Sequence, residues 1–420
     1  MTATVSITRN DWFFNIDSNI TMKGSIFQHI LRKNYETEIA TSPILCLHGL
    51  GACRRVWDEI SISLAEKGHT VASFDMRNHG DSSNMDDIEN DLSMQSLMDD
   101  ITKVLYYLQD NDGNNNEINW LKNCTIIGHS YSGNIALYYS LQQHHQNQNK
   151  VTKKMNNQIK LKRTICIDGG YINLQRTFTS GWQECLSTMV PKKDFMNEIL
   201  WTQLPVILQQ MFPYYSPLAI NATMGSFQQL EKNNNNEKKE IIDDDAINPT
   251  PNQQQQHVML RLDHDAHIMF LRELWDFTPH NMSKKYLDSD SEKDSTTSIT
   301  TVTTTAEAIT TTITIEDSEE DNDDNCIIHL LPTLDKTLFS IDKQKDISLV
   351  VNALTTTTPF PSTSTSSLHD NNELKYGKDY NEQNKTKIQV HVQWLESNHH
   401  VPLAAPAALY KILTEIVMNS

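Results

Sequence analysis

Short apolar runs recur along the chain, and most are continuous rather than alternating: PILCLHG, TVASFD, CTIIGHS, RTICIDGG, CIIHLLPT and IQVHVQWLE. Such runs are typical of strands in a parallel sheet that is covered on both faces. Between several of them lie stretches with helical spacing, as in LSMQSLMDDITKVLYYL, where one face carries Leu97, Ile101, Val104 and Leu108. The alternation predicts an α/β fold with right-handed crossovers. DWFFNI and MKGSIFQHIL, near the N-terminus, predict an antiparallel hairpin at one edge of the sheet.

Three segments have compositions that cannot bury enough apolar surface to offset the entropy of ordering. One is rich in Asn and Gln, one is acidic and Thr-rich, and one is rich in Thr and Ser. We interpret them as disordered insertions at 231–257, 284–325 and 341–386. The predicted core then consists of residues 1–170, of a strand and loop at 326–340, and of a last part at 387–420. A helical cap is predicted at 171–283 and contains the first insertion.

The charge and the cysteines limit the class of protein. The formal net charge of the 420 residues is −18, which argues against a nucleic-acid partner. No run of 18 apolar residues is present, so we expect no transmembrane helix, and the first residues lack the features of a signal peptide. The six cysteines show no disulfide framework. We therefore expect a cytoplasmic protein with reduced thiols.

The stretch Gly128-His129-Ser130-Tyr131-Ser132-Gly133 follows a predicted strand and opens a predicted helix. A serine on such a sharp turn has its hydroxyl directed away from the sheet, as a nucleophile elbow requires. The usual pattern has glycine two residues after the serine, where this chain has Ser132. We expect the turn to survive with slightly more crowding.

Two further loops follow predicted strands. In LHGLG, His48 and Gly49 leave the next amides free to point into a cleft, so the N–H groups of Leu50 and Tyr131 are candidates for an oxyanion hole. In FDMRNHGDSS, Asp75 and Arg77 are expected to pair and brace the loop, and His79 is a minor candidate for a catalytic base.

The loop after the last predicted strand, LESNHHVP, offers His399 and His400 as general bases. An acid that orients the histidine should come between the serine and the histidine in the chain. Asp335, just past the strand before the last one, is our preferred acid, and Asp168, at the end of RTICID, is the alternative. DHDAH at 263–267 has no partner ligands at convincing spacing, so we expect no metal site.

Taken together, LHGLG, FDMRNHGDSS, GHSYSG, ICIDGG and ESNHHVPLAAP resemble the α/β-hydrolase superfamily, and within it a cap-bearing, carboxylesterase-like branch. The resemblance covers residues 10–230, 258–283, 326–340 and 387–418. It implies a mostly parallel eight-stranded sheet with a cap after the sixth strand. It also implies Ser130 as nucleophile, Asp335 as acid and His399 as base, since the catalytic histidine often stands seven residues before the proline of the final helix. Relatives with aspartate at the serine position are dehalogenases or epoxide hydrolases, which this chain does not fit.

The leading hypothesis is a serine hydrolase that cleaves a small-molecule ester or similar acyl bond without a cofactor. One alternative keeps the triad for C–C bond hydrolysis, lyase or perhydrolase chemistry. Another is a ligand-binding protein that retains the fold without turnover.

Overall fold

The computed structural model describes residues 6–16, 20–29, 42–82, 91–111, 118–148, 159–191, 199–230, 257–276, 310–313, 326–335, 343–355 and 388–418. The strands in these residues are β1 Ile7–Asn15, β2 Thr21–His29, β3 Ile44–Leu47, β4 Val71–Phe74, β5 Thr125–His129, β6 Arg163–Ile167, β7 Phe227–Leu230, β8 His257–Leu260, β9 Thr310–Ile313, β10 Cys326–Leu331 and β11 Ile388–Gln393. Nine of these described strands form one sheet in the order β1-β2-β4-β3-β5-β6-β10-β11-β9. The predicted α/β architecture is confirmed.

The helices of the described residues are α1 Asp58–Ala65, α2 Met94–Asn111, α3 Tyr131–Gln148, α4 Leu174–Thr177, α5 Trp182–Met189, α6 Leu204–Met211, α7 Pro217–Met224, α8 His264–Asp276, α9 Lys343–Thr355, α10 Val401–Ala404 and α11 Pro406–Met418. Side chains of α2, α3 and α9 share a core on one face of the sheet. Side chains of α1 and α11 belong to a second core on the other face. Burial on both faces explains why the sequences of β3, β4, β5 and β6 are apolar without alternation.

The predicted N-terminal hairpin is confirmed. β1 pairs antiparallel with β2, from Ile7 opposite His29 to Asn15 opposite Thr21, and β1 lies at one edge of the sheet. The central strands β4, β3, β5, β6, β10 and β11 are parallel, so their carboxyl ends meet at one edge, where ligands bind in such sheets.

The opposite edge of the sheet differs from the expectation. β9 pairs antiparallel with β11 and raises the sheet from the eight expected strands to nine within the described residues. Its four residues lie inside 284–325, which we interpreted as a disordered insertion. The described part of that segment therefore contributes a strand, and the rest lies outside the described residues.

Helix α9 shows that the predicted insertion at 341–386 begins too early. Four of its apolar side chains are buried in the main core at helical spacing: Ile347, Val350, Val351 and Leu354. The Thr- and Ser-rich composition of the following residues concealed this helix in the sequence. Residues 356–386 of that predicted insertion, like 231–256 of the earlier one, lie outside the described residues.

The segment between β6 and β10, for which we predict a cap at 171–283, is described over 171–191, 199–230 and 257–276. It contains α4 to α8, and a two-stranded antiparallel sheet, β7 with β8, adds to the helices that the sequence predicted. All six cysteines are free and buried. Across the described ranges, no helix has the length and apolarity needed to cross a membrane.

Candidate active site

Ser130 stands on the turn between β5 and α3, as the sequence predicted. Its φ is +55°, a left-handed conformation that is uncommon for a residue other than glycine. The turn is fixed by backbone hydrogen bonds, because Ser130 N donates to Ile167 O at 2.9 Å and Gly133 N donates to Ser130 O at 2.8 Å. Strain of this kind is typical of functional turns whose geometry the surrounding structure imposes.

Ser132, the departure from the usual glycine, is fully buried and takes part in the turn. Its hydroxyl donates a short hydrogen bond to the carbonyl of His48 and lies 3.1 Å from the sulfur of Met76. The extra hydroxymethyl group therefore joins the elbow to the loop after β3 instead of distorting it.

His399 lies beside Ser130. Its Nε2 is 2.7 Å from Ser130 Oγ, and both side chains are almost completely buried. His400, the competing histidine, instead packs its ring against Phe212 and Tyr215 of the cap, with ring centroids 5.4 and 6.5 Å away. The structure thus brings together the serine and the histidine that the sequence analysis selected.

The carboxylate beside His399 belongs to Asp168, the alternative acid, and not to Asp335. Asp168 Oδ2 is 2.7 Å from His399 Nδ1. Asp335 Oδ2 instead accepts a hydrogen bond of 3.2 Å from the backbone N–H of His399. The preference for Asp335 is corrected by this geometry, because the turn after β6 places its aspartate at the imidazole, whereas Asp335 accepts from the backbone N–H of His399.

The Asp168 carboxylate is enclosed by donors. Thr333 donates from its N–H at 3.1 Å and from its hydroxyl at 2.8 Å, and Tyr171 OH donates a short hydrogen bond. Lys343 Nζ lies 2.9 and 3.2 Å from the two carboxylate oxygens. Burial favours the neutral acid, but the hydrogen bond and charge of His399 and the charge of Lys343 outweigh it and hold the pKa of Asp168 well below its usual value. The carboxylate is therefore ionised.

Sequence reasoning missed Thr333, Tyr171 and Lys343. The helical spacing of Ile347 and Val350 could have revealed α9, but nothing in the sequence places its first residue against a carboxylate 175 residues earlier. Such contacts depend on how distant segments meet.

His129 holds the backbone of the histidine loop. Its Nε2–H donates to the carbonyl of His399 at 2.6 Å. Burial, followed by the charge of His399, lowers the pKa of His129 to about 3. His129 is therefore neutral near pH 7, and its ring acts as a fixed hydrogen-bond donor.

Two buried histidines shape the loop after β3. His48 Nε2 accepts from Met76 N at 3.0 Å, and His79 Nε2 accepts from Gly51 N at 3.1 Å. Burial lowers the pKa of His48 to about 4 and that of His79 to about 3, so both rings are neutral acceptors. His79, a minor candidate for the base, is therefore engaged with the loop and with the carbonyl of Arg77, to which its Nδ1–H donates at 3.0 Å.

The two N–H groups considered for an oxyanion hole come from the loop after β3 and from the first residue of α3. A Cβ on Gly49 would lie 3.3 Å from Cβ of Ser130, so the loop passes directly over the serine. Leu50 follows Gly49, and Tyr131 is the first residue of α3, where N–H groups have no partner within the helix.

A buried ion-pair network braces the same region, with partners other than those predicted. Asp75 pairs with Arg54, whose backbone N–H also donates to it at 2.6 Å. Arg77 pairs with Asp100, with two hydrogen bonds of 2.6 Å. The predicted Asp75–Arg77 pair is therefore wrong, although both residues do support the loop.

Within the described ranges, no group of three or more His, Cys, Asp or Glu side chains is arranged to hold a metal ion. His264 and His267 of the DHDAH segment lie on α8, where His267 is buried.

Part of the chain is similar in sequence to known proteins. Residues 42–153 match the model of the alpha/beta hydrolase fold family. A sn-1-specific diacylglycerol lipase, ABHD11, from Xenopus laevis is 31% identical over 110 residues, which are 26% of this chain and 30% of that protein. The matching protein from Xenopus tropicalis is 30% identical over 110 residues, again 26% of this chain and 30% of its length. The chain thus spans less than a third of the length of these curated relatives.

Two solved structures share the fold. One is the thioesterase domain from the curacin biosynthetic pathway, with a TM-score of 0.51, 13% identity, and coverage of 97% of this chain and 99% of that one. The other is E-2-(acetamidomethylene)succinate hydrolase, with a TM-score of 0.52, 12% identity, and coverage of 98% and 100%. At 13% and 12% identity, these likenesses show that the chain has the α/β-hydrolase fold, in agreement with the family model that residues 42–153 match.

Proposed function

We propose that the chain is a serine hydrolase that cleaves a carboxylic ester or similar acyl bond of a small molecule. The observation that carries the proposal is one chain of hydrogen bonds: Ser130 Oγ to His399 Nε2 at 2.7 Å, and His399 Nδ1 to Asp168 Oδ2 at 2.7 Å. A carboxylate only accepts, so His399 Nδ1 carries the proton and Nε2 is free to accept the proton of Ser130. This is the tautomer that a general base needs.

The reaction follows from this arrangement. Ser130 Oγ attacks the acyl carbon while His399 Nε2 takes the hydroxyl proton, and Asp168 stabilises the imidazolium. The same proton passes to the departing alcohol, which leaves an acyl-enzyme. A water molecule then loses a proton to His399 and attacks the acyl carbon, which releases the acid and restores Ser130.

The negative oxygen of each tetrahedral intermediate needs donors, and the N–H groups of Leu50 and Tyr131 are our candidates. Support comes from Gly49, which passes over Ser130, and from Ser132, whose hydroxyl ties the elbow to the carbonyl of His48. Loss of one such donor costs about 3 kcal/mol of transition-state stabilisation in serine hydrolases.

Three further observations support the proposed bond, acyl group and compartment. The Xenopus laevis relative is named a diacylglycerol lipase, an enzyme that acts on an ester. Ser130 and His399 are only 7% and 6% exposed, which favours a small or extended acyl group over a bulky one. Six free, buried cysteines favour the reducing cytoplasm.

The test is labelling of the purified protein by a fluorophosphonate, which reacts with an activated serine. We expect the wild type to be labelled and Ser130→Ala not to be, while Ser132→Ala is the matched serine control and keeps its label. We also expect His399→Gln to lose the label and His400→Gln to keep it. Esters of graded chain length then define the acyl preference.

Absence of labelling in a wild-type protein with a cooperative thermal transition would contradict the proposal and favour a ligand-binding protein. Loss of the label in Ser132→Ala but not in Ser130→Ala would show that Ser132 is the nucleophile, which contradicts the proposal.

A further inference from the structure

Lys343 is a buried lysine in direct contact with the carboxylate beside His399. Its side chain is 4% exposed, and Nζ lies 2.9 and 3.2 Å from the oxygens of Asp168. Nζ is also 3.0 Å from Thr333 Oγ1 and 3.2 Å from Thr333 O. The three ammonium hydrogens thus have four oxygen acceptors within 3.2 Å, as a buried charge requires.

The contact changes the charge balance of the triad. When His399 takes the proton of Ser130, the buried Asp168 carboxylate faces two cations, the imidazolium and the ammonium of Lys343. The positive charge of Lys343 disfavours a second positive charge on His399. Because Asp168 is already paired with Lys343, its carboxylate also stabilises the imidazolium less. A lysine at this position therefore makes protonation of His399 less favourable than Asp168 alone would.

Other charged and titratable groups also face His399, so Lys343 must be distinguished from them. They come from β5, the turn after β6, the loop after β10 and the histidine loop itself: His129, Asp168, Asp335 and His400. Tyr171 donates to Asp168, so it acts on the acid and not directly on His399. Lys343 brings the one positive charge from α9 that contacts the triad acid.

A second ion pair, with a buried carboxylate and a half-buried arginine, fixes helix α9 to the segment after β6. Asp346, one turn further along α9, pairs with Arg176 of α4. Lys343 and Asp346 thus contact the β6–α4 segment from one face of the helix, since residues three apart share a face. This double attachment holds the ammonium in place, so its charge acts at a fixed position.

We propose that Lys343 is a positioning residue that acts through Asp168, keeping this carboxylate ionised and oriented toward His399 and opposing a second positive charge beside it. The inference rests on the proposed function for its catalytic meaning, but its effect on His399 can be measured without turnover. Removal of the charge should make His399 take up its proton at higher pH.

The first experiment compares the pH dependence of fluorophosphonate labelling. In Lys343→Met we expect the acid limb of the rate profile to move up by about 1 pH unit. Lys345→Met is the matched control, because Lys345 is exposed on the same helix and its replacement changes the net charge equally. We expect its profile to coincide with that of the wild type, as should that of Lys343→Arg, which keeps the charge.

The second experiment reads His399 directly by NMR of protein labelled at histidine Cε1. The His399 signal is the one that disappears in His399→Gln. We expect its titration to shift upward by about 1 pH unit in Lys343→Met. If Lys343→Met does not fold, Lys343→Gln removes the charge and retains a hydrogen-bond donor for Asp168 and Thr333.

The outcomes separate the two proposals. A wild type that is not labelled, together with the NMR shift in Lys343→Met, would overturn the hydrolase assignment and support the role of Lys343. If the wild type is labelled but the titration of His399 is the same in the wild type and in Lys343→Met or Lys343→Gln, the role of Lys343 is overturned. A shift in Lys345→Met as large as that in Lys343→Met would overturn it as well. A purely structural lysine lowers stability without moving either profile.

Discussion

Gly169 packs against the backbone of Ser130, so closely that a Cβ at Gly169 would overlap the Ser130 carbonyl oxygen. A Cβ on Gly133 would in turn lie 2.8 Å from Cα of Gly169. The turn that carries Asp168 and the elbow that carries Ser130 therefore pack so closely that no side chain larger than hydrogen fits at Gly133 or Gly169. This contact sets the distance between the turn of Asp168 and the turn of Ser130.

Gly169→Ala should therefore lower both stability and labelling. Overpacking against backbone costs about 1–3 kcal/mol, and displacement of the elbow should slow labelling at least tenfold. Labelling rate and thermal unfolding of the same preparation measure the two effects. Gly68→Ala is the control: Gly68 has a φ of +94° with nothing within 4 Å of an added Cβ, so it should lose stability and keep its labelling rate. Normal labelling of Gly169→Ala would contradict this account of the contact.

Replacement of Asp168 and of Asp335, each in turn, tests which of the two carboxylates supports the imidazole of His399. Asp168→Asn removes the charge that stabilises imidazolium and should slow labelling by about 10³- to 10⁴-fold. Asp335→Asn keeps an oxygen that can accept from the backbone N–H of His399, so its labelling should stay within a few-fold of the wild type. The measurement is the second-order rate constant for the fluorophosphonate. The reverse order of effects would restore Asp335 as the acid.

Ser132→Gly restores the residue that the elbow pattern usually has. It removes the hydrogen bond from Ser132 Oγ to the carbonyl of His48, which should cost about 1 kcal/mol of stability. Because the elbow itself is unchanged, labelling should fall by only a few-fold. Chemical denaturation and labelling rates test this together. A variant that gains both stability and rate would show that the buried hydroxyl hinders the turn.

The buried pair Arg54–Asp75 should be costly to break on one side. Arg54→Met leaves the fully buried Asp75 carboxylate without its cation and should destabilise the fold by about 3–5 kcal/mol. Arg55→Met is the matched control, since Arg55 is partly exposed and lies 3.5 Å from Asp81, so about 1 kcal/mol or less is expected. Adding Asp75→Asn to Arg54→Met should recover part of the loss. Equal effects of the two arginine replacements would rule out a special cost of burial.

The sequence predicted the parts of this molecule that local pattern determines. Continuous apolar runs mark β3 to β6, and the glycines around Ser130 mark the elbow, because each depends on residues that are adjacent in the chain. Asp168 was ranked second because the choice of acid depends on which strand-end turn reaches His399, 231 residues away. Strand β9 and helix α9 were missed for a related reason: tertiary contacts with β11 and the core stabilise them within segments of unfavourable composition.

The buried and half-buried histidines predict that the fold loses stability in mild acid. Burial lowers the pKa of His48 and His400 to about 4, and that of His79 and His129 to about 3. Below pH 6.5 these rings bind protons in the unfolded chain but not in the folded one, so stability falls as the pH drops from about 6.5 toward 4. Each fully buried histidine contributes about 1.4 kcal/mol per pH unit in that range.

Thermal unfolding between pH 7.5 and 4.5 measures this slope. His79→Gln removes one such group and should flatten the slope, whereas His145→Gln, at an exposed position near the end of α3, should leave it unchanged. The pKa of Asp168 is lowered in the folded protein, so its ionised carboxylate still contributes to stability between pH 7.5 and 4.5. That contribution is lost only at more acidic pH, below the usual pKa of an aspartate. A midpoint of unfolding that does not change from pH 7.5 to 4.5 would mean that these rings are protonated in the folded protein, which contradicts their roles as acceptors from Met76 and Gly51.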